Sequence, residues 1–117
     1  LHSTYLTALS CLKDLDPNNA IKAVTPYYVM RIGELPVIPY IRPGAPQIAE
    51  ELSKLAGKYR AFLLANHGPI ITGTDVLDAV DNAEELEETA RLAFLLNDKP
   101  ARYLTDDEVA DLKGRGK

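Results

Sequence analysis

Both histidines of this chain stand where regular backbone would start or stop: His2 ahead of Ser3-Thr4, and His67 inside Ala65-Asn66-His67-Gly68-Pro69. A neutral imidazole is a good donor to a divalent metal, and such an ion takes three or four protein ligands, so two imidazoles from separate segments make an incomplete split site. Cys11, the single cysteine, does not complete it: nine residues of helix past His2 amount to about 13 Å. His67 is the stronger of the pair, because a strand end followed by Gly68 and Pro69 fixes the backbone while the ring points into a cleft. A hydrogen-bonded structural histidine is the competing reading of that position. His2 taken alone could also be a disordered terminal residue, so the weight lies in the pair.

The remaining chemistry-bearing residues have ordinary readings. Asp81, Glu84, Glu85, Glu87 and Glu88 gather on one helical stretch whose inner face is Ala83, Leu86 and Ala90, which sends most of the carboxylates to solvent. Arg31 and Arg42 could meet a phosphate or carboxylate, with surface pairing as the default. Tyr27, Tyr28 and Tyr40 read as half-buried strand residues, and Cys11 as inert core on an apolar helix face.

The elements that must position His67 follow from periodicity. Leu6, Leu9 and Leu12 are spaced for a helix over residues 3–13, with Ser3 or Thr4 as its N-cap. Asp16-Pro17-Asn18-Asn19 is a turn. Residues 21–41, rich in Tyr, Val, Ile and Pro, predict short strands and turns rather than helix, with 35–40 an edge or irregular strand. A helix follows Pro43-Gly44-Ala45-Pro46, buries Ile48, Leu52 and Leu55, and ends at a left-handed Gly57. Residues 61–65 form a continuous apolar run, which predicts a strand buried on both faces, and 70–72 a second short strand. Thr74 or Asp75 caps the longest helix, whose stripe of Val76, Val80, Ala83, Leu86, Ala90, Ala93 and Leu96 should pack against the sheet. Thr105 and Glu108 have capping-box spacing ahead of a last helix, and residues 114–117 form a frayed tail.

Composition narrows the function classes. The chain has 117 residues, 46% hydrophobic, enough for one domain or a large piece of one. A net charge of −4 argues against a nucleic-acid footprint and leaves small anionic substrates open. No apolar run reaches the length needed to span a bilayer, and a single cysteine fits a reducing cytoplasm. Position 1 is Leu rather than Met, and what precedes His2 is too short to form a strand that would position it, so the chain is expected to begin inside a domain.

Five strings taken in order resemble the class II aldolase/adducin superfamily: His2-Ser3-Thr4-Tyr5-Leu6-Thr7-Ala8-Leu9-Ser10, Thr25-Pro26-Tyr27-Tyr28-Val29-Met30-Arg31, Pro39-Tyr40 with Arg42-Pro43-Gly44, Ala65-Asn66-His67-Gly68-Pro69, and Glu84-Glu85-Leu86-Glu87-Glu88-Thr89-Ala90. Within it they are most similar to the 3-oxo-tetronate 4-phosphate decarboxylases. The resemblance implies an α/β fold, a three-layer α/β/α sandwich with a mixed sheet, of which residues 1–117 are the C-terminal portion of a single domain. It implies a zinc ion, or another divalent metal such as manganese or cobalt, with His2 and His67 matching two of its ligands. A further histidine, a glutamate and the phosphate-binding loops of the family have no counterpart here, so the 117 residues alone are expected to be inactive. The implied activity is a cytoplasmic, zinc-dependent carboxy-lyase, a homotetramer decarboxylating a phosphorylated sugar acid to dihydroxyacetone phosphate. A sugar-phosphate aldolase or epimerase, and a non-catalytic adducin-like domain, are the alternatives. Tyr27 is the nearest counterpart of a tyrosine that assists catalysis in some relatives.

Overall fold

The layering of the protein is built on β2 (Ala61–Leu64), a strand with all four residues buried. Strand side chains alternate between faces. Ala61 and Leu63 accordingly enter one core with Leu6, Leu9, Leu86 and Ala90, while Phe62 and Leu64 enter a second with Ile38, against which Leu52, Leu55 and Tyr59 pack. The computed structural model describes residues 3–55 and 57–115. In chain order it has α1 (Thr4–Ser10), α2 (Pro26–Arg31), β1 (Val37–Ile38), α3 (Gln47–Leu55), β2, β3 (Gly68–Ile71), α4 (Val76–Leu96) and α5 (Asp106–Arg115). With α1 and α4 over one face of the sheet and α3 over the other, the expected three-layer α/β/α arrangement is present.

The sheet is mixed, in the order β1-β2-β3. β1 lies parallel to β2 with Val37 opposite Leu63, and β2 runs antiparallel to β3 with Leu64 opposite Gly68 and Ala61 opposite Ile71. Prolines at 36 and 39 keep β1 to two residues, as expected of an edge strand. Its outer side is partly paired as well: Val37 N–H donates to the Pro17 carbonyl (2.8 Å) and Ala20 N–H to the Leu35 carbonyl (2.8 Å).

The stretch read as strands and turns over 21–41 contains α2 instead. Thr25 is extended, its Oγ1 accepts from Tyr28 N–H at 3.2 Å, and Pro26 occupies the first helical position. A capping residue followed by proline was the signal in the sequence, and it outweighs the β propensity of the aromatic and branched residues. The far end of α2 is held by Arg60, whose Nη1 donates to the carbonyls of Met30 (2.6 Å) and Arg31 (2.7 Å).

Tyr28 is wholly buried rather than half-buried. Its hydroxyl lies 3.1 Å from Asn19 Oδ1 and 3.2 Å from the Ile21 carbonyl, and Asn19 Oδ1 also accepts from Leu35 N–H. Burial, with Glu34 nearby, pushes the phenol well above its usual range. Tyr28→Phe is expected to lower stability by about 1 kcal/mol, the usual net value of one hydrogen bond, read as a lower urea midpoint with unchanged m-value.

α4 differs from its expected stripe at the start. Val76 and Val80 are 79% and 38% exposed, and the buried face begins at Asn82 and Ala83. The helix packs mainly on α1 and α2 and reaches the sheet through Leu86 and Ala90, so its first turns stand clear of the core. They are fixed by capping: Asp75 Oδ1 accepts from Asp78 N–H (2.8 Å) and Asp78 Oδ2 accepts from Thr74 N–H (2.9 Å). The Thr74 amide, with Arg31 and Arg60 nearby, holds the Asp78 carboxyl below its ordinary value of 3.8. A carboxyl depressed on folding stabilises fully above its unfolded pKa and loses that contribution as pH falls through the folded one. Wild type and Asp78→Asn should therefore differ most above pH 3.8 and converge below it, which urea midpoints across pH 2 to 7 will read.

Elsewhere the expected local chemistry is in place. Gly57 has φ +84° after α3. Thr105 N–H donates to Glu108 Oε1 (2.9 Å) and Glu108 N–H to Thr105 Oγ1 (3.1 Å), a complete capping box. α5 extends through Gly114 and Arg115, two residues into the expected frayed tail. Among the described residues, no helix is long and apolar enough to cross a membrane.

Candidate metal-binding turn

His67 lies in the tight connection between β2 and β3, just before the Leu64–Gly68 pair that closes the hairpin. Its N–H donates to the Leu64 carbonyl at 3.0 Å. Asn66 adopts a left-handed conformation, φ 59°, which asparagine tolerates better than most residues. The Asn66 N–H donates to the Ser10 carbonyl at 2.8 Å, across to the end of α1. Gly68 has φ +139°, a backbone that strains any other residue, and a Cβ there would lie 3.3 Å from Thr7 Oγ1, so that Thr7 would have to give by a few tenths of an ångström. Three successive residues of the turn are thus held through backbone, while the His67 side chain is exposed. An exposed imidazole on a fixed turn is available to a ligand.

The docking of the turn also explains why α1 stops early. The Ser10 carbonyl is taken by Asn66 and not by the amide four residues on, and Asp14 turns left-handed at φ 62°. The expected helix to residue 13 therefore ends at Ser10, and Cys11 is an exposed C-cap residue, not core. At the other end Ser3 occupies the N-cap position with no side-chain cap bond. The cap comes from Glu87, whose Oε2 and Oε1 accept from Tyr5 N–H (2.9 Å) and Leu6 N–H (3.0 Å). Glu87, one of the carboxylates of a cluster that the sequence assigns mostly to solvent, is instead half-buried and engaged as this cap. Its partners are 82 and 81 residues away, beyond any local pattern.

His2 lies outside the described residues. Among the described residues no group of three or more His, Cys, Asp or Glu side chains is arranged to hold a metal ion. His67 suits a metal as one imidazole donor, and the described residues do not complete the set. The other polar candidates belong elsewhere: Arg31 donates to Asn82 Oδ1 (3.1 Å) and lies 3.5 Å from Asp78, while Tyr27 and Tyr40 are exposed at 69% and 59%. A groove of about 710 Å³ between Tyr59, Phe62, Thr74 and Asn82 has no lining contribution from His67.

A 3-oxo-tetronate 4-phosphate decarboxylase of Haemophilus influenzae is 68% identical over 117 residues, covering all of this chain and 56% of that protein. The crystal structure of YgbL from Escherichia coli superposes with a TM-score of 0.93 at 56% identity, over 97% of this chain and 55% of that one. An L-fuculose phosphate aldolase of Methanococcus maripaludis is 32% identical over 96 residues, 82% of this chain and 49% of its own length. The chain spans about half the length of the curated relatives it matches. The Class II Aldolase and Adducin N-terminal domain matches residues 1–94, and on that match, with the mixed sheet and His67 turn already described, the chain belongs to the class II aldolase and adducin family.

Proposed function

We propose that the chain works within a metal-dependent lyase that decarboxylates a 3-oxo-tetronate 4-phosphate to dihydroxyacetone phosphate and carbon dioxide. The observation that carries this reading is the 68% identity, over the full chain, to a decarboxylase of that substrate. His2 and His67 would each give one imidazole to a divalent cation, zinc first and manganese or cobalt next, with further donors from outside these residues. Residues 1–117 would be the C-terminal portion of one domain, in a cytoplasmic homotetramer.

The reaction breaks the bond between the carboxylate carbon and its neighbour; carbon dioxide leaves, the electron pair moves toward the adjacent carbonyl oxygen, and a proton later returns to carbon. When bound, the cation supplies Lewis-acid stabilisation of that developing charge. The part of the chain is preorganisation: the bonds from Asn66 and His67 N–H and the packing of Gly68 on Thr7 keep the ring's backbone fixed, so little reorganisation accompanies ligand binding. The −4 net charge does not oppose an anionic substrate, because a few local cations suffice to hold a phosphate.

The 32% identity to an L-fuculose phosphate aldolase favours retro-aldol cleavage as the second reading, since both reactions leave electrons beside a carbonyl. The test is to supply the full-length protein and a divalent metal with a 3-oxo-tetronate 4-phosphate and, separately, with a ketose 1-phosphate. Release of carbon dioxide with dihydroxyacetone phosphate supports the decarboxylase; release of an aldehyde supports the aldolase. Neither product, with metal bound, would leave the non-catalytic adducin-like reading.

A further inference from the structure

We infer that Glu87 is a positioning residue for the turn that carries His67, acting through α1; the purpose of that turn rests on the function proposed above. The first amides of a helix have no carbonyl partner of their own, and Ser3 offers α1 no side-chain cap. Glu87 meets two of these amides at once, one with each carboxylate oxygen, and a charged acceptor at a helix N-terminus makes the stronger kind of hydrogen bond. The opposite half of α1 holds the hairpin: Ser10 accepts from Asn66 N–H, and Thr7 lies against Gly68. α1 is a strut with Glu87 at one end and the His67 turn at the other.

A helix of seven residues is too short to be stable by itself, so its placement depends on Leu6, Leu9 and these end contacts. Neighbouring carboxylates are engaged elsewhere, Glu88 with Arg91 at 2.9 Å and Glu85 with Thr89 at 3.1 Å. They cannot replace Glu87 without leaving those partners. Loss of the cap should therefore loosen the turn more than the sheet.

The test is hydrogen–deuterium exchange, read by mass spectrometry on the full-length protein, for Glu87→Ala, Glu87→Gln and the exposed control Glu84→Gln. With Glu87→Ala, peptides covering residues 4–10 and 65–70 should exchange about tenfold faster, and the peptide covering 61–64 at the wild-type rate. Glu87→Gln, which keeps one acceptor oxygen, should fall between, and Glu84→Gln should match wild type. In Glu87→Ala kcat should drop about tenfold with KM within about twofold, the loss of a contact that matters in the transition state, with Glu87→Gln between it and wild type and Glu84→Gln unchanged. Faster exchange at 4–10 with 65–70 unchanged would overturn the inference. So would loosening of the turn with kcat unchanged, or equal acceleration at 61–64 in both Glu87 variants, the mark of a general stabiliser. Wild-type protein that releases neither carbon dioxide nor aldehyde would sink the proposed function while leaving the exchange result to be read on its own.

Discussion

In the full-length protein, His67→Ala is expected to lower kcat by about 10³-fold or more and to release bound metal while leaving the fold intact. A metal ion contributes several kcal/mol to stabilising developing charge, and about 4 kcal/mol corresponds to roughly 10³ in rate. The fold should survive because the turn is held by backbone: the His67 and Asn66 bonds both use main-chain atoms, and the imidazole itself is exposed. An exposed substitution of this kind is worth within about 0.5 kcal/mol of stability. Three measurements on one preparation decide it: kcat, metal per chain by elemental analysis, and the urea midpoint. Undiminished metal content and turnover would mean that His67 is not a ligand. A large loss of stability would mean that its role is structural after all.

Leu63→Ala should destabilise the protein by about 2–5 kcal/mol, whereas Leu77→Ala should change stability by less than about 0.5 kcal/mol. Leu63 is 0% exposed at the centre of β2, in the core formed by Leu6, Leu9, Leu86 and Ala90. Removing three carbons there leaves a cavity bounded by two helices and a sheet, which can collapse only in part. Leu77 is 77% exposed on the first turn of α4, so its truncation removes little buried area. Urea unfolding of both variants beside wild type measures the contrast. Equal effects would mean that the start of α4 is covered in the intact protein and that its apolar residues are part of a buried interface.

The same contrast shows where reading the sequence succeeds. Residues 61–65 were legible as a strand buried on both sides, since an unbroken apolar run bounded by turn residues has few other solutions. The Thr105–Glu108 capping box and the left-handed Gly57 were legible because each depends on neighbours a few residues away. α2 was legible in principle from Thr25-Pro26, yet the tyrosines, valines and prolines around it point to strand. Cys11 was misplaced for a different reason: the periodicity of Leu6, Leu9 and Leu12 continues past Ser10, but the carbonyl needed to extend the helix is used by Asn66.

His67 and the resemblance carried by its neighbours came from the sequence alone, because a turn's residue types and order are local chemistry. So did the strand of β2 buried on both faces, the signals that start and stop α3, and the signal that starts α5. Only the tertiary structure decided that α1 bears on the turn, that Glu87 and not Ser3 caps that helix, and that the apolar start of α4 stands in solvent. Each depends on a contact between segments far apart in the chain, and periodicity records which face of an element is apolar without recording what the fold brings to meet it.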